Sequence, residues 1–516
     1  MAHSGSVVPA APTGHDGLGA QTPSVDRSDH YERQRDRAPR RYPQQYRRRA
    51  NAVRLACAMS VRNSLREILK AAGEPESQAG ELAVTGEDPV FPTPYRVGTA
   101  GAAAIGAVGL AVADLWFLRT GRKQEARIGV RAAAAAMRSA HYLAIDGSAP
   151  RNPWAPMSGY YPVRDGRWIS IHRNFANHRD AALRVLGTGE DRPAAEAVSR
   201  TWDGVELESA LHAAGGCAGL ARSAEEWVTH PHGAAVAGQP LIEIEKLSEA
   251  KPEPLPQGSR PLSGIRALDL TRVLAGPTCA RTLAEHGADV LKITAAHLAD
   301  SGQTDFDTGL GKLSAQLDLR NAPDRDKLRD LAREADVFSQ SYRPGTLAGR
   351  GFSPAEVVAL RPGIVYVTLS AWGTEGPWKD RRGFDSIVQT VSGMALVQSG
   401  ESKPKLLPVS VIDYVGGYLM AYGALVALAR RVREGGSWLV RVSLARTGKW
   451  IVDRGRAERF AGVPADLPKE ELQKLLMQTL NYTHLKPVLE LSETRPYWAR
   501  PPVPLGTHRP EWPVKS

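Results

Sequence analysis

Short apolar runs alternate with amphipathic segments through the second half of the chain. IRALDL, ADVLKI, DVFSQS and GIVYVTLS have the length of strands, and the segments between them, such as DRDKLRDLAREA, carry apolar residues at helical spacing. A strand followed by a helix, repeated several times, predicts an α/β fold in which a parallel sheet is covered by helices.

The preceding part of the chain predicts a smaller α+β domain. In GYYPVRDGRWISIHRN, Asp165 and Gly166 separate two alternating runs, which predicts a β-hairpin. Ser223 precedes two acidic residues and an apolar position, as the N-cap residue of a helix does. Further helices are predicted at residues 178–186, 193–201 and 204–214, and another near the end of the chain at 469–479.

Two stretches of small apolar residues repeat each other at a fixed offset of 314 residues. Each predicts a buried helix that ends near an Arg, followed by a Gly turn and a short strand. One copy opens with a hydroxyl at Thr99, and the other opens with a carboxylate at Asp413. The identical pairs are Val97/Val411, Ala107/Ala421, Gly109/Gly423, Val112/Val426, Ala113/Ala427, Arg119/Arg433, Gly121/Gly435 and Arg127/Arg441.

The first of these helices, near residues 98–118, is long enough to span a bilayer. Asp114 within it, and Asp413 within its counterpart, favour two buried helices and no membrane span. The N-terminus lacks a basic region followed by an apolar core, so no signal peptide is predicted. The three cysteines are far apart and match neither a disulfide framework nor a zinc site, which predicts a reduced, cytoplasmic protein.

Part of the net charge of +11 is concentrated at the N-terminus. Residues 1–58 hold ten Arg and five acidic residues, with few aliphatic side chains among the arginines. Such a run is typical of a disordered tail, and an arm that binds nucleic acid is the alternative. Met59 opens a segment of helical character, so a second hypothesis is that translation begins there.

Six motifs resemble, in the same order, those of the class III CoA-transferases, the CaiB/BaiF family. They are LDLTRVLAGP, HGADVLKI, DTGLGKLSAQLDL, ADVFSQSYRPGTLAGRGF, LRPGIVYVTLSAWGTEGPWKDRRGFDSIVQTVSG and LLPVSVIDYVGGYL, within residues 261–444. Residues 95–247 resemble the small second domain of that family more weakly. Family members place this domain after the large one, whereas here it comes first.

The resemblance implies two partial family copies in permuted order, the first without its front and the second without its back. It predicts a Rossmann-like parallel-sheet domain that binds CoA, together with the smaller α+β domain. The predicted boundaries are a disordered basic extension at 1–58, a degenerate repeat half at 59–157, the small domain at 158–248, a Pro-rich linker at 249–261, the Rossmann-like domain at 262–450 and a C-terminal extension at 451–516.

By resemblance, Asp413 is the nucleophile that attacks an acyl-CoA thioester. An acyl-aspartyl anhydride forms first, and an aspartyl-CoA thioester then passes CoA to an acceptor carboxylate. Backbone N–H groups at a helix start would hold the carboxylate, and Gly416 and Gly417 would let the thioester approach. The structural alternative is that Asp413 is an N-cap, as Thr99 would be in the other copy. A Thr hydroxyl cannot perform this step without a nearby base, so Thr99 is interpreted as structural.

The resemblance also implies a set of CoA contacts. Arg suits phosphate because its planar fork can bind two oxygens. Gly349 occupies the place where family members often carry an Arg, and Arg350 follows one position later, which puts its contact in doubt. For each basic residue, a plain surface charge is the alternative. The implied contacts are Val273, Leu274 and Ala275 at the adenine, Tyr342 and Arg343 at the diphosphate, and Lys312 and Arg350 at phosphate.

Phe384 and Asp385 bear on the branch of the family. The racemase branch has a His at the position of Phe384, and Phe cannot transfer a proton, so a 2-methylacyl-CoA racemase is disfavoured. Asp385 matches an acidic position of some transferases and would assist hydrolysis or orient substrate, with a structural role as the alternative. His230 and His232 have no companion cluster, so no metal site is predicted.

The sequence therefore predicts a cytoplasmic CoA-transferase that moves CoA from an acyl-CoA to a carboxylic acid through Asp413. The CoA thioester enters as a substrate, and no permanently bound cofactor is predicted. The family resemblance predicts a homodimer. The truncated halves and the displaced Arg350 favour one alternative, a non-catalytic acyl-CoA-binding or scaffold protein. Nucleic-acid binding through the N-terminal arm is another.

Overall fold

A computed structural model of the chain describes residues 61–148, 154–400 and 403–514. The tail predicted at residues 1–58 and the alternative start at Met59 lie outside the described residues.

Sixteen strands and seventeen α-helices are defined within the described ranges. The strands are β1 (Leu82–Thr85), β2 (Ala126–Gly129), β3 (Ala144–Ile145), β4 (Gly159–Pro162), β5 (Trp168–Ile171), β6 (Ala218–Leu220), β7 (Glu243–Ser248), β8 (Arg266–Leu270), β9 (Asp289–Thr294), β10 (Lys312–Gln316), β11 (Val337–Gln340), β12 (Val365–Ser370), β13 (Ser437–Ser443), β14 (Leu476–Thr479), β15 (Tyr482–Leu485) and β16 (Leu489–Leu491). The helices are α1 (residues 61–71), α2 (Val97–Thr120), α3 (Val130–Ala136), α4 (Ala176–Leu186), α5 (Arg192–Ser199), α6 (Gly204–Ala213), α7 (Ala224–Thr229), α8 (Pro231–Gly238), α9 (Ala275–Glu285), α10 (Gln303–Gly309), α11 (Ala322–Arg333), α12 (Pro354–Leu360), α13 (Asp385–Val391), α14 (Met394–Ser399), α15 (Val411–Glu434), α16 (Leu444–Asp453) and α17 (Lys469–Leu475).

A seven-stranded sheet forms the centre of the fold, in the order β10-β9-β8-β11-β12-β13-β7. The first six strands are parallel, which confirms the predicted α/β class. β7 runs antiparallel to β13 and closes that side of the sheet. Its residues lie inside the range 158–248 that the sequence assigns to the small domain. They pair with the large sheet instead, because β13 would otherwise expose an unpaired edge.

The small domain contains the antiparallel sheet β4-β5-β6 with helices α4 to α8 around it. The predicted hairpin is present, with Pro162 opposite Trp168 across the turn at Asp165 and Gly166. Ser223 caps α7, and its side chain and that of Glu226 bond each other's backbone N–H groups. These local features follow from short-range chemistry, which is why the sequence identifies them.

The C-terminal segment differs from its prediction. The helix expected at 469–479 ends at Leu475, and the next four residues form β14, which pairs with β15. Further along, β16 adds to a sheet with β1 and β2. The local helical preference therefore gives way to a hairpin of β14 and β15, and β15 in turn pairs with the distant β3.

Helices α2 and α15, which carry the two copies of the repeat, have the same length of 24 residues and pack against each other. Arg433 of α15 forms an ion pair with Asp114 of α2 at 2.5 Å. Both helices are long and apolar enough to cross a membrane by length and composition alone. Their most apolar windows are 78% and 100% buried inside the protein, as in the core helices of a globular fold.

Candidate active site

Asp413 is the third residue of α15 and is 8% exposed. It is not the N-cap, because Ser410 occupies that position and its side chain forms no capping bond. The carboxylate of Asp385, the first residue of α13, takes over the capping role. It accepts hydrogen bonds from the backbone N–H groups of Ile412 at 2.9 Å and of Asp413 at 3.2 Å. The N-cap alternative for Asp413 is therefore wrong, and its carboxyl group is not used to start the helix.

The two carboxyl groups differ in their hydrogen bonding. Gln389 donates to Asp385 at 2.5 Å, in addition to the two backbone donors. Burial raises the pKa of Asp385 to about 6, and these three donors limit the rise. Burial and the nearby charge of Asp385 hold the pKa of Asp413 well above its ordinary value. Within the described part of the chain, no donor bonds the Asp413 carboxyl group, so Asp385 ionises first.

The equivalent position in α2 keeps the same capping arrangement without the second carboxyl group. Asp88 accepts hydrogen bonds from the backbone N–H groups of Gly98 at 3.0 Å and of Thr99 at 2.7 Å. Thr99 is fully buried and is the third residue of its helix, not its N-cap. The α2 copy therefore has the capping carboxylate and lacks the residue that could act as a nucleophile.

The loop between β8 and α9 lies against the first turns of α15. Val273 has a φ of +70°, which is rare for a β-branched residue, and Leu274 and Ala275 are buried. A Cβ atom on Gly417 would lie 2.7 Å from Cβ of Thr278 and closer still to the carbonyl oxygen of Ala275. Gly417 thus allows α9 to approach α15, and these contacts do not support its predicted role of admitting the thioester.

Lys312 does not reach the surface as a phosphate contact would. It is 2% exposed, and its ammonium group lies 2.7 Å from the carboxylate of Asp269. It also donates to the carbonyl oxygen of Pro277 at 2.8 Å. These contacts hold the ammonium group between Asp269 of β8 and Pro277 of α9. The buried position of Lys312 therefore does not support the predicted phosphate contact.

The segment after β11 carries the other predicted phosphate contacts. The backbone N–H of Tyr342 donates to the side chain of Gln340 at 2.9 Å, and burial raises the pKa of the Tyr342 phenol. Arg343 is exposed. Arg350 donates to the carbonyl oxygen of Thr346 at 2.9 Å, so part of its guanidinium is engaged locally.

Sequence reasoning missed a basic cluster that includes Arg343. Arg272, Arg343 and Arg382 lie close enough to His178 of the small domain for their charges to lower its pKa, which burial already depresses, to about 4. Arg272 also lies over the ring of Phe175, 5.2 Å from its centroid. Across the described ranges, no acidic side chain forms an ion pair with any of the three arginines. Arg272 and Arg382 stand inside the quoted motifs, but the convergence of three distant segments has no sequence signal.

The small domain closes against the sheet domain within one chain. The ring of Phe384 stacks on His172 with centroids 4.1 Å apart and planes 15° apart. The hydroxyl groups of Tyr160 and Thr390 form a hydrogen bond at 2.9 Å. Phe384, which precedes Asp385, therefore contributes to the wall between the two domains.

His230 and His232 both form contacts that position the small domain. His230 accepts a hydrogen bond from the backbone N–H of His232 at 3.1 Å, which starts α8. Nδ1 of His232 accepts from the backbone N–H of Trp378 at 3.1 Å. No group of three His, Cys, Asp or Glu residues that could hold a metal ion is found in the described ranges.

The comparisons with known proteins all indicate the same family. The profile of CoA-transferase family III matches residues 35–253 and 262–466. The chain is 31% identical over 325 residues to an acetyl-coenzyme A transferase of Hypoxylon pulicicidum, covering 58% of this chain and 54% of that protein. It is 30% identical over 241 residues to a probable fatty acyl-CoA transferase of Mycobacterium tuberculosis, covering 43% and 61%.

A human succinyl-CoA:glutarate CoA-transferase is 31% identical over 181 residues, covering 33% of this chain and 41% of that protein. A crystal structure of the M. tuberculosis protein aligns with a TM-score of 0.35 at 30% identity, over 38% of this chain and 57% of that chain. The chain spans roughly half the length of the curated relatives that it matches. Because the family profile matches both halves and most of the residues, this protein belongs to CoA-transferase family III.

Proposed function

We propose that this protein transfers CoA from an acyl-CoA to a carboxylic acid, with Asp413 as the covalent nucleophile. The observation that carries the proposal is the buried carboxyl group of Asp413, which lacks a hydrogen-bond donor among the described residues while Asp385 holds its backbone. A carboxylate used only for structure would be expected to accept hydrogen bonds, because an unpaired buried charge is costly.

The proposed reaction proceeds in balanced steps. The ionised Asp413 attacks the acyl carbonyl carbon, the C–S bond breaks, and CoA leaves as a thiolate while an acyl-aspartyl anhydride forms. The thiolate attacks the aspartyl carbonyl carbon and expels the first acid as a carboxylate, which leaves an aspartyl-CoA thioester. The acceptor carboxylate then attacks the carbonyl carbon of this thioester, the C–S bond breaks, and CoA leaves again as a thiolate while a second mixed anhydride forms. Attack of the thiolate on the acceptor's carbonyl carbon gives the new acyl-CoA and restores Asp413.

The surroundings of Asp413 supply roles for neighbouring groups. Asp385 fixes the backbone of the nucleophile, and its negative charge adds to the effect of burial, which raises the pKa of Asp413. The basic cluster of Arg272, Arg343 and Arg382 would bind the phosphates of CoA, because guanidinium groups that have no acidic partner among the described residues favour anions.

The acceptor is proposed only as a carboxylic acid, since the names of the relatives differ in acyl group and acceptor. The free thiols of Cys217 and Cys279 support a reducing, cytoplasmic location. The homodimer stays a prediction of the family resemblance.

Trapping with hydroxylamine tests the proposal. An aspartyl-CoA thioester or an aspartyl anhydride would react to give a hydroxamate on the peptide that contains Asp413, detectable by mass spectrometry. We expect this adduct in the wild-type protein with at least one member of a broad acyl-CoA panel, and none in Asp413→Asn. The matched control is Asp88→Asn, which alters the equivalent cap of α2 and should keep the adduct.

If the folded wild-type protein gives no adduct with any acyl-CoA, the transferase proposal is wrong. Retained binding of CoA in calorimetry would then favour the acyl-CoA-binding alternative.

A further inference from the structure

Lys312 joins the two ends of the loop formed by residues 271–275. Its ammonium group contacts the carboxylate of Asp269 at 2.7 Å, and both side chains are almost completely buried. The same carboxylate accepts a hydrogen bond from the backbone N–H of Thr271 at 3.0 Å, on the entry side of the loop. Lys312 also donates to the carbonyl oxygen of Pro277 at 2.8 Å, on the exit side. One lysine on β10 therefore connects the end of β8 with the first turn of α9.

The loop between these points has a conformation that the backbone does not favour. Val273 has a φ of +70°, which strains a β-branched residue. Such strain persists only when the surroundings fix the backbone. Gly276 contributes to this restraint, because a Cβ there would lie 2.6 Å from Cγ2 of Thr271.

The position of the loop also sets the geometry of the proposed nucleophile. Ala275 lies so close to Gly417 on α15 that no side chain fits between them. Gly417 is one helical turn after Asp413. A displaced loop would therefore change the space above the carboxyl group of Asp413.

We infer that Lys312 is a positioning residue that holds the 271–275 loop in the conformation that receives the CoA thioester. This inference rests on the proposed function, because the loop is a substrate site only if CoA binds there. Lys312 acts through Asp269 and Pro277, without itself contacting the substrate.

The energetics of a buried ion pair support a positioning role over a purely stabilising one. Desolvation of two charges offsets most of their attraction, so an apolar pair of similar volume often gives equal or greater stability. Burial lowers the pKa of Lys312 to about 8, and the charge of Asp269 opposes this effect. What an apolar pair cannot provide is the set of directed bonds to the carboxylate of Asp269 and to Pro277.

The test separates loop positioning from stability with three variants. Lys312→Met breaks the pair and leaves the Asp269 carboxylate buried without its cation. Lys312→Met combined with Asp269→Leu replaces both charges by apolar groups, which should restore the melting temperature without restoring the directed bonds. Arg431→Met is the control, because Arg431 is equally buried and pairs with Asp336 at 2.8 Å, near the C-terminal end of α15 and away from the loop.

Hydrogen exchange of the loop amides without ligand and calorimetry with free CoA are the measurements. We expect the single and double variants to exchange residues 271–276 about tenfold faster and to bind CoA about tenfold more weakly. In a transfer assay, both should raise KM for the acyl-CoA more than they lower kcat. Arg431→Met should leave all three values at the wild-type level.

Wild-type exchange and CoA affinity in a stably folded double variant would overturn the inference. A wild-type protein that binds no CoA would reject the proposed function instead. In that case the exchange rates alone would test whether Lys312 holds the loop. Slow exchange in the double variant would refute this role of Lys312, and fast exchange would support it.

Discussion

The backbone N–H of Asp413 donates a hydrogen bond to the carboxylate of Asp385 across 3.2 Å, so one acidic residue holds the main chain of the other. The same oxygen of Asp385 accepts a bond from the N–H of Ile412. This contact places two carboxyl groups in a buried region, where ionisation of one disfavours ionisation of the other. Capping and control of protonation are therefore functions of the same side chain.

Removing the charge of Asp385 should extend activity to lower pH. Burial and the Asp385 charge raise the pKa of Asp413. In the proposed reaction only the ionised Asp413 attacks, so trapping should increase as the pH rises through that pKa. In Asp385→Asn the like charge is absent, the pKa of Asp413 falls, and the acid limb of the rate profile should move to lower pH. The measurement is the rate of hydroxamate formation between pH 5 and 9.

Asp385→Asn can still accept the two backbone bonds through its amide oxygen, but its amide N–H₂ faces the donor group of Gln389. A stability loss of about 1–2 kcal/mol is therefore expected from this mismatch, and its size is read from thermal unfolding. An acid limb that stays at the wild-type pH in a folded variant would show that Asp385 does not control the protonation of Asp413.

Two adjacent glycines should respond differently to alanine. In Gly417→Ala the new methyl group would clash with Ala275 and Thr278, so we expect a loss of about 1–3 kcal/mol in the free energy of unfolding and weaker CoA binding. Gly416→Ala is the matched control, because its nearest contact would be the Leu444 side chain at 3.4 Å. That variant should be neutral or up to about 1 kcal/mol more stable, since Ala favours a helix over Gly.

Urea denaturation of both variants, with calorimetry for CoA, checks this prediction. If the two substitutions change the free energy of unfolding and the affinity for CoA equally, the close approach of α9 to α15 at Gly417 is not needed for either property.

The basic cluster should dominate recognition of the CoA phosphates. Arg343→Ala and Arg382→Ala should each weaken CoA binding roughly tenfold, as expected for the loss of a charge-assisted hydrogen bond. The effect should shrink at high salt because exposed charges are screened. Arg333→Ala is the control, since Arg333 lies on α11 in a surface ion pair with Asp330 at 2.5 Å.

Calorimetry with CoA at low and at high salt provides the measurement. An affinity that neither variant changes would place the phosphates away from the cluster.

Glu285 should make the protein less stable at alkaline pH. Burial raises its pKa from 4.5 to about 7, although the charges of Arg281 and Arg260 oppose the rise. Between pH 4.5 and about 7, the folded protein therefore binds a proton that the unfolded chain has already released. The stabilisation that this proton gives is fully present at low pH and is lost as the pH rises through about 7. Its full size is at most about 3 kcal/mol.

Glu285→Gln removes the titration, so its melting temperature should depend less on pH between 5 and 8 than that of the wild-type protein. Glu490→Gln, at an exposed position in β16, should follow the wild-type curve. Parallel curves for Glu285→Gln and the wild type would refute the predicted titration.

Local features of the fold could be predicted because neighbouring residues determine them. The hairpin at Asp165 and Gly166 and the cap at Ser223 are present as expected, and so is the parallel sheet that follows residue 262. The sequence does not predict the strand at 243–248, because its partner β13 lies almost 200 residues further along the chain. It does not predict the strand at 476–479 either, because the hairpin of β14 and β15 is completed by pairing of β15 with the distant β3. The expected phosphate contact at Lys312 fits its chemistry as a cation but not its burial.

The sequence by itself determined the family motifs, the α/β class and Asp413 as the candidate nucleophile, because each depends on residue types in order along the chain. Only the tertiary structure decided that Asp385 caps α15, that Lys312 pairs with Asp269, and that Arg272, Arg343 and Arg382 converge on His178. The physical reason is that the partner, the charge and the pKa of each side chain depend on its burial and on which distant segments approach it. Neither burial nor such an approach can be read from the local spacing of residues.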